Sequence, residues 1–334
     1  AVYNAGTDPD DPTCAYYRPL SLLNGEMTNW MNEFTRLGQL QEYEISARGG
    51  SDRAKYFSSV SYHKNDGTFY GVNYEKFQAR VNTDYKLLKN LETGARFNIG
   101  YTNQTNAPME SLNYENPTWA GLTIFPWIPA RNEDGSFNVD IPSNSNQNPR
   151  ASAAIQKNWI KTYHLNGTMF LRWTPVKNLV LESKNSAEAI FSKQYMFMSE
   201  EIGYDNYVLN NDSQILQLTT SNTANYSNVF GGYHNVRLLA GHEAMKYTSW
   251  TTYSEVNGAN PDIPYINSAD QANSSVSNGI GAETLVSFFG IADYNYDNKY
   301  FLQGSVRTDG SSLFGSNNKW GLFPSVAFGW NAKN

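Results

Sequence analysis

The stretch KYFLQGSVRTDGSSLFGSNNKWGLFPSVAFGW, residues 299–330, is the part of the sequence that decides the fold. Its first half alternates with a period of two, so that Tyr300 and Leu302 project to one side and Gln303 to the other. One side is mostly apolar and the other mostly polar. The run Asp-Gly-Ser-Ser at residues 309–312 is typical of a backbone reversal, because glycine lets the backbone reverse and the aspartate and serine side chains bond free amides locally. We therefore predict a strand that ends at residue 309 and a second strand that begins at Trp320 or Pro324.

The second half of this stretch, residues 305–330, closely resembles a family signature. It follows the order R-x-D-G-S-S-x-F-G, then W-G-x-F-P-S, then G-W, which is typical of the SusC/RagA-like branch of TonB-dependent outer-membrane transporters. The matching positions are Arg307, Asp309, Gly310, Ser311, Ser312, Phe314, Gly315, Trp320, Gly321, Phe323, Pro324, Ser325, Gly329 and Trp330. The match is long and ordered, so it is more specific than a short loop motif.

Other parts of the chain resemble the same family. Residues 28–50 and several positions of the following strands are similar to its first barrel strands, and residues 239–243 are similar to a later one. The positions in those early strands are Tyr56, Ser58, Tyr62, Gly67, Arg80, Val81 and Asn82. The resemblance covers most of the chain from about residue 28 onward.

Composition independently favours a β structure. Tyr, Phe and Trp make up 14% of the 334 residues, while the residues that favour helices are sparse. The mean hydropathy is −0.57, and no run of about 18 apolar residues is present, which excludes a transmembrane helix. A transmembrane barrel remains compatible with these values, because its strands only need to alternate apolar and polar residues.

The alternating segments predict eleven strands joined in an up-and-down order. Every second connection is tight, and the others are longer and variable, as in a sheet embedded in an outer membrane. Residues 106–158 form the longest loop, residues 29–37 a short helix, and residues 175–178 a turn. The predicted strands cover residues 41–49, 55–64, 75–86, 91–105, 159–174, 178–198, 213–229, 234–249, 283–296, 299–309 and 321–331.

Charge and spacing disfavour several classes of function. The net charge of −6, without a basic block, argues against nucleic acid as a partner. The four histidines are far apart, and the single Cys14 has no internal disulfide partner, so we expect no metal site and no cofactor. No arrangement of residues typical of a nucleophile, a phosphate loop or a carboxylate pair is found. We therefore expect no catalytic residues and a protein that is not an enzyme.

Four aromatic side chains mark a proline-rich part of the longest loop: Tyr114, Trp119, Phe125 and Trp127. They are candidates for substrate contact, because aromatic rings stack on sugars and pack peptide side chains. The alternative is that they form a small core of the loop itself, and this alternative is favoured. For the signature of residues 307–330 we favour an architectural role. The strand aromatics Tyr43, Tyr85, Tyr101, Trp173 and Tyr300 are assigned to a lipid-facing band or its interfacial girdles.

The resemblance implies more than the residues alone. It implies a barrel of about 22 strands, an N-terminal plug, a SusD-like surface lipoprotein as lid, and TonB-coupled import of glycan or peptide oligomers in the outer membrane of a Gram-negative bacterium. The plug and the TonB box have no match here, so we expect residues 1–40 to lead into a partial barrel of residues 41–334. The remaining strands are expected elsewhere in a longer protein.

Two other functions fit an all-β chain. The first is a soluble carbohydrate-binding module in which two apolar sheet faces pack together. Strands of such sandwiches have about five or six residues, whereas several here exceed ten, which argues against it. The second is a passive porin of about twelve strands, which fits the same strand pattern but gives no reason for the signature.

Overall fold

The computed structural model describes residues 27–106, 116–144, 147–315 and 317–332. Eleven strands form one antiparallel sheet in which each strand pairs with its neighbours in sequence. The strands are β1 Gln39–Gly50, β2 Ala54–Asp66, β3 Asn73–Leu88, β4 Leu91–Thr105, β5 Lys157–Val176, β6 Leu179–Met198, β7 Tyr207–Phe230, β8 His234–Val256, β9 Ser274–Tyr296, β10 Tyr300–Ser311 and β11 Trp320–Trp330. The predicted all-β, up-and-down arrangement is confirmed.

Within the described ranges, three short α-helices accompany the sheet: α1 Trp30–Phe34, α2 Pro117–Thr123 and α3 Pro149–Ile155. Each begins after an asparagine whose side chain accepts a backbone N–H of the first turn, and α2 and α3 also have proline at the start. Helix α1 is shorter than predicted, because the chain is already extended at Thr35. Among the residues that the structure describes, no helix is both long and apolar enough to cross a membrane.

The tight connections follow from residues that tolerate a left-handed backbone. Asp297 and Asn298, both with φ near +50°, are the central residues of the turn closed by the Lys299 N–H to Tyr296 carbonyl hydrogen bond, between β9 and β10. This is the twist that a hairpin prefers. Gly231 and Gly232 act in the same way between β7 and β8. Pro175 was predicted in a turn but lies inside β5, at the register shift between Trp173 and Val176, where a missing N–H is tolerated.

One face of the sheet, here called the apolar face, carries almost all large exposed hydrophobic side chains. Direct cross-strand partners place six aromatic residues side by side on β1 to β6, a set named the aromatic row. The aromatic row consists of Tyr43, Tyr62, Phe77, Tyr101, Tyr163 and Phe191. A second set of aromatics lies on the same face near the tight turns: Tyr56, Tyr85, Trp173, Tyr226, Tyr294 and Trp330.

The apolar face changes character next to the aromatic row. Two residues further toward the long loops, the cross-strand partners are polar or charged, a set named the charged row. The charged row consists of Lys64, Glu75, Asn103, Lys161, Lys193 and Asp212. A polar patch also interrupts the apolar face on β6 to β8, at Ser183, Asn185, Thr220, Asn222 and His242.

The two sets of aromatics bound a band of definite height. On β5, Tyr163 and Trp173 are ten residues apart, which is about 33 Å along a strand. A strand tilted by about 40° therefore gives a band about 25 Å high, the value for a transmembrane barrel. The five strand aromatics assigned to a lipid-facing band, listed above, all lie on this face. The sandwich alternative is wrong for the described residues, since they form one sheet whose apolar face is exposed.

The loop ends of the sheet differ most from the prediction. Strands β7, β8 and β9 extend beyond the predicted limits, so that only residues 257–273 connect β8 to β9. This connection folds against the apolar face and covers Val208, Val256 and Phe197, which are buried with Ala259. The added ends of these strands are mostly polar in sequence and show no clear alternation of apolar and polar residues. Part of this length is covered by the loop, so it does not need the alternation of a strand with one exposed face. A second small core joins α1 to the long loop through Trp30, Phe34, Ala120, Ile124, Ala130 and Ile141.

Candidate functional site

The opposite face of the sheet, here called the polar face, is the candidate functional surface. Its side chains are mostly charged, amide or hydroxyl groups that lie opposite one another on adjacent strands. One row runs across eight strands as Ser59, Arg80, Asn98, Asn166, Glu188, Gln217, Tyr247 and Glu283. A surface of this composition is stable only when water or a polar ligand contacts it.

Near the tight turns, ion pairs follow the strand register. Arg172 lies opposite Glu92 on one neighbouring strand and Glu182 on the other. Its guanidinium approaches the Glu182 carboxylate to 2.6 Å and the Glu92 carboxylate to 3.5 Å. Arg96 pairs with Asp84 at 2.5 Å. Because these groups are partly exposed, each pair contributes about 1 kcal/mol or less to stability, and its main effect is to fix side-chain positions.

Phe170 lies between these two arginines. The guanidinium carbons of Arg96 and Arg172 are 5.5 and 5.3 Å from the centre of its ring. These distances are within the range of cation–π attraction. The same groups line a cavity of about 300 Å³, together with Arg53 and Lys55. The result is an ordered, charged surface with an aromatic centre.

The family signature contributes a second charged cluster on the polar face. The Arg307 guanidinium donates to an Asp309 carboxylate oxygen at 2.8 Å and to the buried Ser287 hydroxyl at 2.9 Å. It also lies 3.9 Å from Glu243 and over the Phe289 ring. Arg307 and Asp309, the first two positions of the signature, thus belong to a polar cluster on the polar face.

The following signature residues differ from the predicted turn. Strand β10 continues through Asp309, Gly310 and Ser311, and the chain reverses only between residues 312 and 319. Gly310 is needed for space, because a Cβ there would lie 2.8 Å from the ring of its partner Trp320. The predicted end of the strand at residue 309 is therefore wrong. Ser312 does take part in the reversal, since its hydroxyl accepts the Thr284 N–H at 2.9 Å.

The remaining signature residues fall on both faces of β11 and on the connection before it. Direct pairing places Trp320, Pro324 and Trp330 on the apolar face, and Gly321, Phe323, Ser325 and Gly329 on the polar face. Phe314 and Gly315 lie in the connection to β11, where the Phe314 side chain is exposed. Their architectural role stays a prediction.

In the middle of the polar face, side chains on adjacent strands form hydrogen bonds between neutral groups and one contact between a histidine and a glutamate. The ring Nε2 of His164 lies 2.6 Å from a Glu188 carboxylate oxygen. Gln78 donates to the Asn98 side-chain oxygen at 2.7 Å. The hydroxyls of Thr168 and Ser186 pair at 2.9 Å across the next two strands.

Close to the loop end, two tyrosines and a glutamate form a compact cluster. The hydroxyls of Tyr207 and Tyr253 both donate to Glu255, at 2.6 and 2.8 Å. Burial and then the Glu255 hydrogen bond raise the pKa of Tyr207 above its usual value. The hydrogen bonds from Tyr207 and then Tyr253 lower the pKa of the Glu255 carboxyl. Tyr207 therefore stays a neutral phenol beside the Glu255 carboxylate around neutral pH.

Glu255→Gln is expected to lower thermal stability at pH 7 but not in acid. Because the pKa of Glu255 is lowered in the folded state, its contribution is present above the unfolded value of about 4.3 and is lost as pH falls through the folded value. Melting temperatures of wild type and variant should thus differ at pH 7 and converge as the pH falls below about 4.3 and through the folded value. Tyr253→Phe, which removes one donor, should give a smaller difference at pH 7. A difference that persists unchanged in acid would contradict this account.

The structure describes three of the four predicted loop aromatics. Tyr114 lies outside the described residues. Phe125 and Trp127 stack with ring centres 4.5 Å apart, and Trp119 is 43% exposed on α2. The long loop does have a small core, as the alternative predicted, but Ala120 and Ile124 supply it rather than these aromatics. Substrate contact by Trp119, Phe125 and Trp127 therefore stays a prediction.

The polar-face clusters were missed by the sequence reasoning. A signal for them was present, since Arg96, Arg172 and Arg307 all occupy the polar side of alternating strands. The register that brings each arginine to its carboxylates depends on turn geometry, however, and could not be derived from single strands. Within the described residues, no group of three or more His, Cys, Asp or Glu side chains is placed to hold a metal ion. The arrangement is suited to binding polar molecules.

Comparison with known proteins gives related sequences but no matching protein-family model. The chain is similar to TonB-dependent receptor P26 of Formosa agariphila, with 26% identity over 313 residues. That similarity covers 90% of this chain and 31% of the relative. It is also similar to TonB-dependent receptor SusC of Bacteroides thetaiotaomicron, with 22% identity, covering 92% of this chain and 32% of SusC. The chain thus spans about a third of the curated relatives that it matches.

A solved structure shares the fold. The structure of the RagAB peptide transporter matches with a TM-score of 0.80 and 21% identity, covering 90% of this chain and 35% of that one. In sequence and in fold, this chain is similar to TonB-dependent receptors of the SusC and RagA type, which confirms the resemblance predicted from residues 305–330.

Proposed function

We propose that this chain forms part of the barrel wall of a TonB-dependent transporter that imports oligomeric nutrients across the outer membrane of a Gram-negative bacterium. The observation that carries the proposal is the exposed apolar face, bounded by aromatics at both ends and followed by the charged row. Exposed side chains of this kind are stable when they meet lipid, and aromatic girdles mark the two interfaces. Similarity to TonB-dependent receptors supports active import over passive diffusion.

The wall is proposed to belong to a barrel of about 22 strands. Within the described sheet, β1 and β11 each pair on one side only. An unpaired strand edge is not tolerated in a bilayer, so strands from the rest of a longer protein must pair with both edges. We further propose that residues 1–40 lead into the barrel and that the plug and the remaining strands lie outside residues 41–334.

The cargo is proposed to be an oligosaccharide or an oligopeptide, with a SusD-like surface lipoprotein as lid and TonB as the source of energy. The polar face offers amides, hydroxyls and paired charges, which suit the many hydrogen-bonding groups of either cargo. RagAB, the structural neighbour, is a peptide transporter. The other relatives are receptors, which supports a function in binding and transport rather than in catalysis.

Uptake by cells that make the full-length protein tests the proposal. We expect fluorescently labelled oligopeptides or oligosaccharides to accumulate only in cells with the protein, and accumulation to stop when an uncoupler collapses the proton gradient. A matched strain without TonB should behave like the uncoupled cells. Uptake that survives both treatments would show a passive porin, and a full-length protein that stays soluble without detergent would exclude a membrane barrel.

A further inference from the structure

Lys161 and Lys193 are an unusual pair within the charged row. They are direct cross-strand partners on the apolar face, two residues beyond Tyr163 and Phe191. Like charges opposite each other on adjacent strands destabilise a sheet. Among the described residues, neither lysine forms an ion pair within 4.0 Å. A pair of this kind is stable when an anion lies between the two ammonium groups.

The surroundings of the pair form a small amphipathic platform. The Lys161 ammonium lies 4.4 Å from the centre of the Trp159 ring, and that ring stacks on Tyr195 at 5.5 Å. Tyr195 is held in turn by donating to the Pro264 carbonyl oxygen of the loop that covers this end of the sheet. The platform is thus rigid on the side of the loops.

The local charge is positive. Lys157 lies on the same face of β5, four residues beyond Lys161, and adds a third ammonium group. Asp212 is the direct partner of Lys193 on β7 and is the acidic residue of the charged row at this place. Three cations and one carboxylate leave the platform with a net charge of about +2 at neutral pH.

We propose that Lys161 and Lys193 bind the phosphorylated head group of a lipid in the outer leaflet of the membrane. The inference rests on the proposed membrane location, because it uses the height of the pair. The backbone positions of the two lysines lie about 5 Å beyond the aromatic row along the membrane normal, at the level of lipid head groups. Acyl chains of the same lipid would lie along Tyr163, Leu165 and Phe191 below.

The position of the pair favours a lipid over free phosphate. A free anion gains only the contacts to the two lysines, whereas a lipid also buries apolar surface on the exposed side chains beneath them. Tyr163 and Phe191 are 53% and 42% exposed and lie directly below the two lysines. Tight binding through a lipid therefore requires acyl chains, whereas binding of free phosphate does not.

The test is lipid binding by the full-length protein in detergent, followed by native mass spectrometry. The probe is a bis-phosphorylated, acylated glucosamine disaccharide, with phosphatidylcholine as a lipid without net charge and inorganic phosphate as a free anion. The variant is Lys161→Gln with Lys193→Gln. The matched control is Lys55→Gln with Lys184→Gln, which removes the same charge from the polar face.

We expect the affinity for the phosphorylated lipid to fall about tenfold for each lysine removed, and to change less than twofold in the control. Binding of phosphatidylcholine should be unaffected in both variants. Equal loss in the control, or full binding by the Lys161/Lys193 variant, would overturn the proposal. Competition by phosphate at the same concentration as the lipid would show a free-anion site instead and would also overturn it.

Failure of the proposed membrane function can be distinguished from failure of the proposed lipid site. A protein that does not insert fails to show the folded, heat-modifiable band in membranes, whatever lipid it binds. If insertion and energised uptake are intact while the two lysines have no effect on lipid binding, only the head-group site is wrong.

Discussion

Met169→Arg is expected to remove most of the folded, membrane-inserted form of the full-length protein. Met169 lies on the apolar face of β5, near the middle between Tyr163 and Trp173, and is 57% exposed. An arginine near the middle of a bilayer costs about 2–4 kcal/mol on the lipid face of a barrel. The measurement is the fraction of heat-modifiable protein in purified outer membranes.

The matched control is Asn166→Arg, which changes the opposite face of the same strand. Asn166 belongs to the polar face, where its cross-strand partners are Asn98 and Glu188. An arginine there meets water and a carboxylate, so we expect the folded fraction to stay close to that of wild type. Equal loss in both variants would mean that the strand tolerates no arginine, and equal folding in both would contradict the assignment of Met169 to lipid.

Gly310→Val is expected to have the second largest effect, a loss of about 1–3 kcal/mol of folding free energy from overpacking. A Cβ at Gly310 would lie 2.8 to 2.9 Å from three atoms of the Trp320 ring. The ring must then move away from its partner strand and from Phe288, whose ring centre is 6.3 Å away. The temperature at which the folded band is lost on heating in detergent measures this effect.

Gly304→Val is the control for Gly310→Val. Gly304 lies on the same strand and the same face, but a Cβ there has no neighbour within 4 Å. Valine is favoured in strands over glycine, so this change should leave the melting temperature unchanged or raise it slightly. Trp320→Ala combined with Gly310→Val should recover part of the loss, because the two residues are coupled. Additive losses would show that the glycine serves some other purpose than space for Trp320.

Much of the fold could be predicted, because strand periodicity and tight turns are local properties. All eleven strands begin or end within about two residues of the prediction at their tight-turn side, which is normal for boundary uncertainty. The loop-side ends of β7, β8 and β9 could not be predicted. On β7 and β8, Val208 and Val256 there are covered by residues of the 257–273 connection, and that tertiary contact replaces the alternation that a free strand needs.

The candidate site was less accessible to sequence reasoning for a different reason. Arg172 and its two carboxylates are 80 and 10 residues apart in sequence, and only the register of three strands brings them together. For Asp309 and Gly310, the sequence predicted a turn where the structure has a strand. The pair has the composition of a turn, but pairing with β9 and β11 holds it in a strand, and the glycine answers a need for space.

The length of β7 and β8 has a consequence for how tightly a cargo can be held. These strands have 24 and 23 residues, about twice what a membrane crossing requires. Their outer halves remain in the hydrogen-bonded ladder, so the Tyr207, Tyr253 and Glu255 cluster is ordered before any ligand arrives. A ligand that meets such a surface does not bear the entropic cost of ordering a loop. In the transporter proposed above, affinity at this end of the sheet can then arise from few contacts, and release can depend on displacement of the ligand rather than on unfolding of the strands.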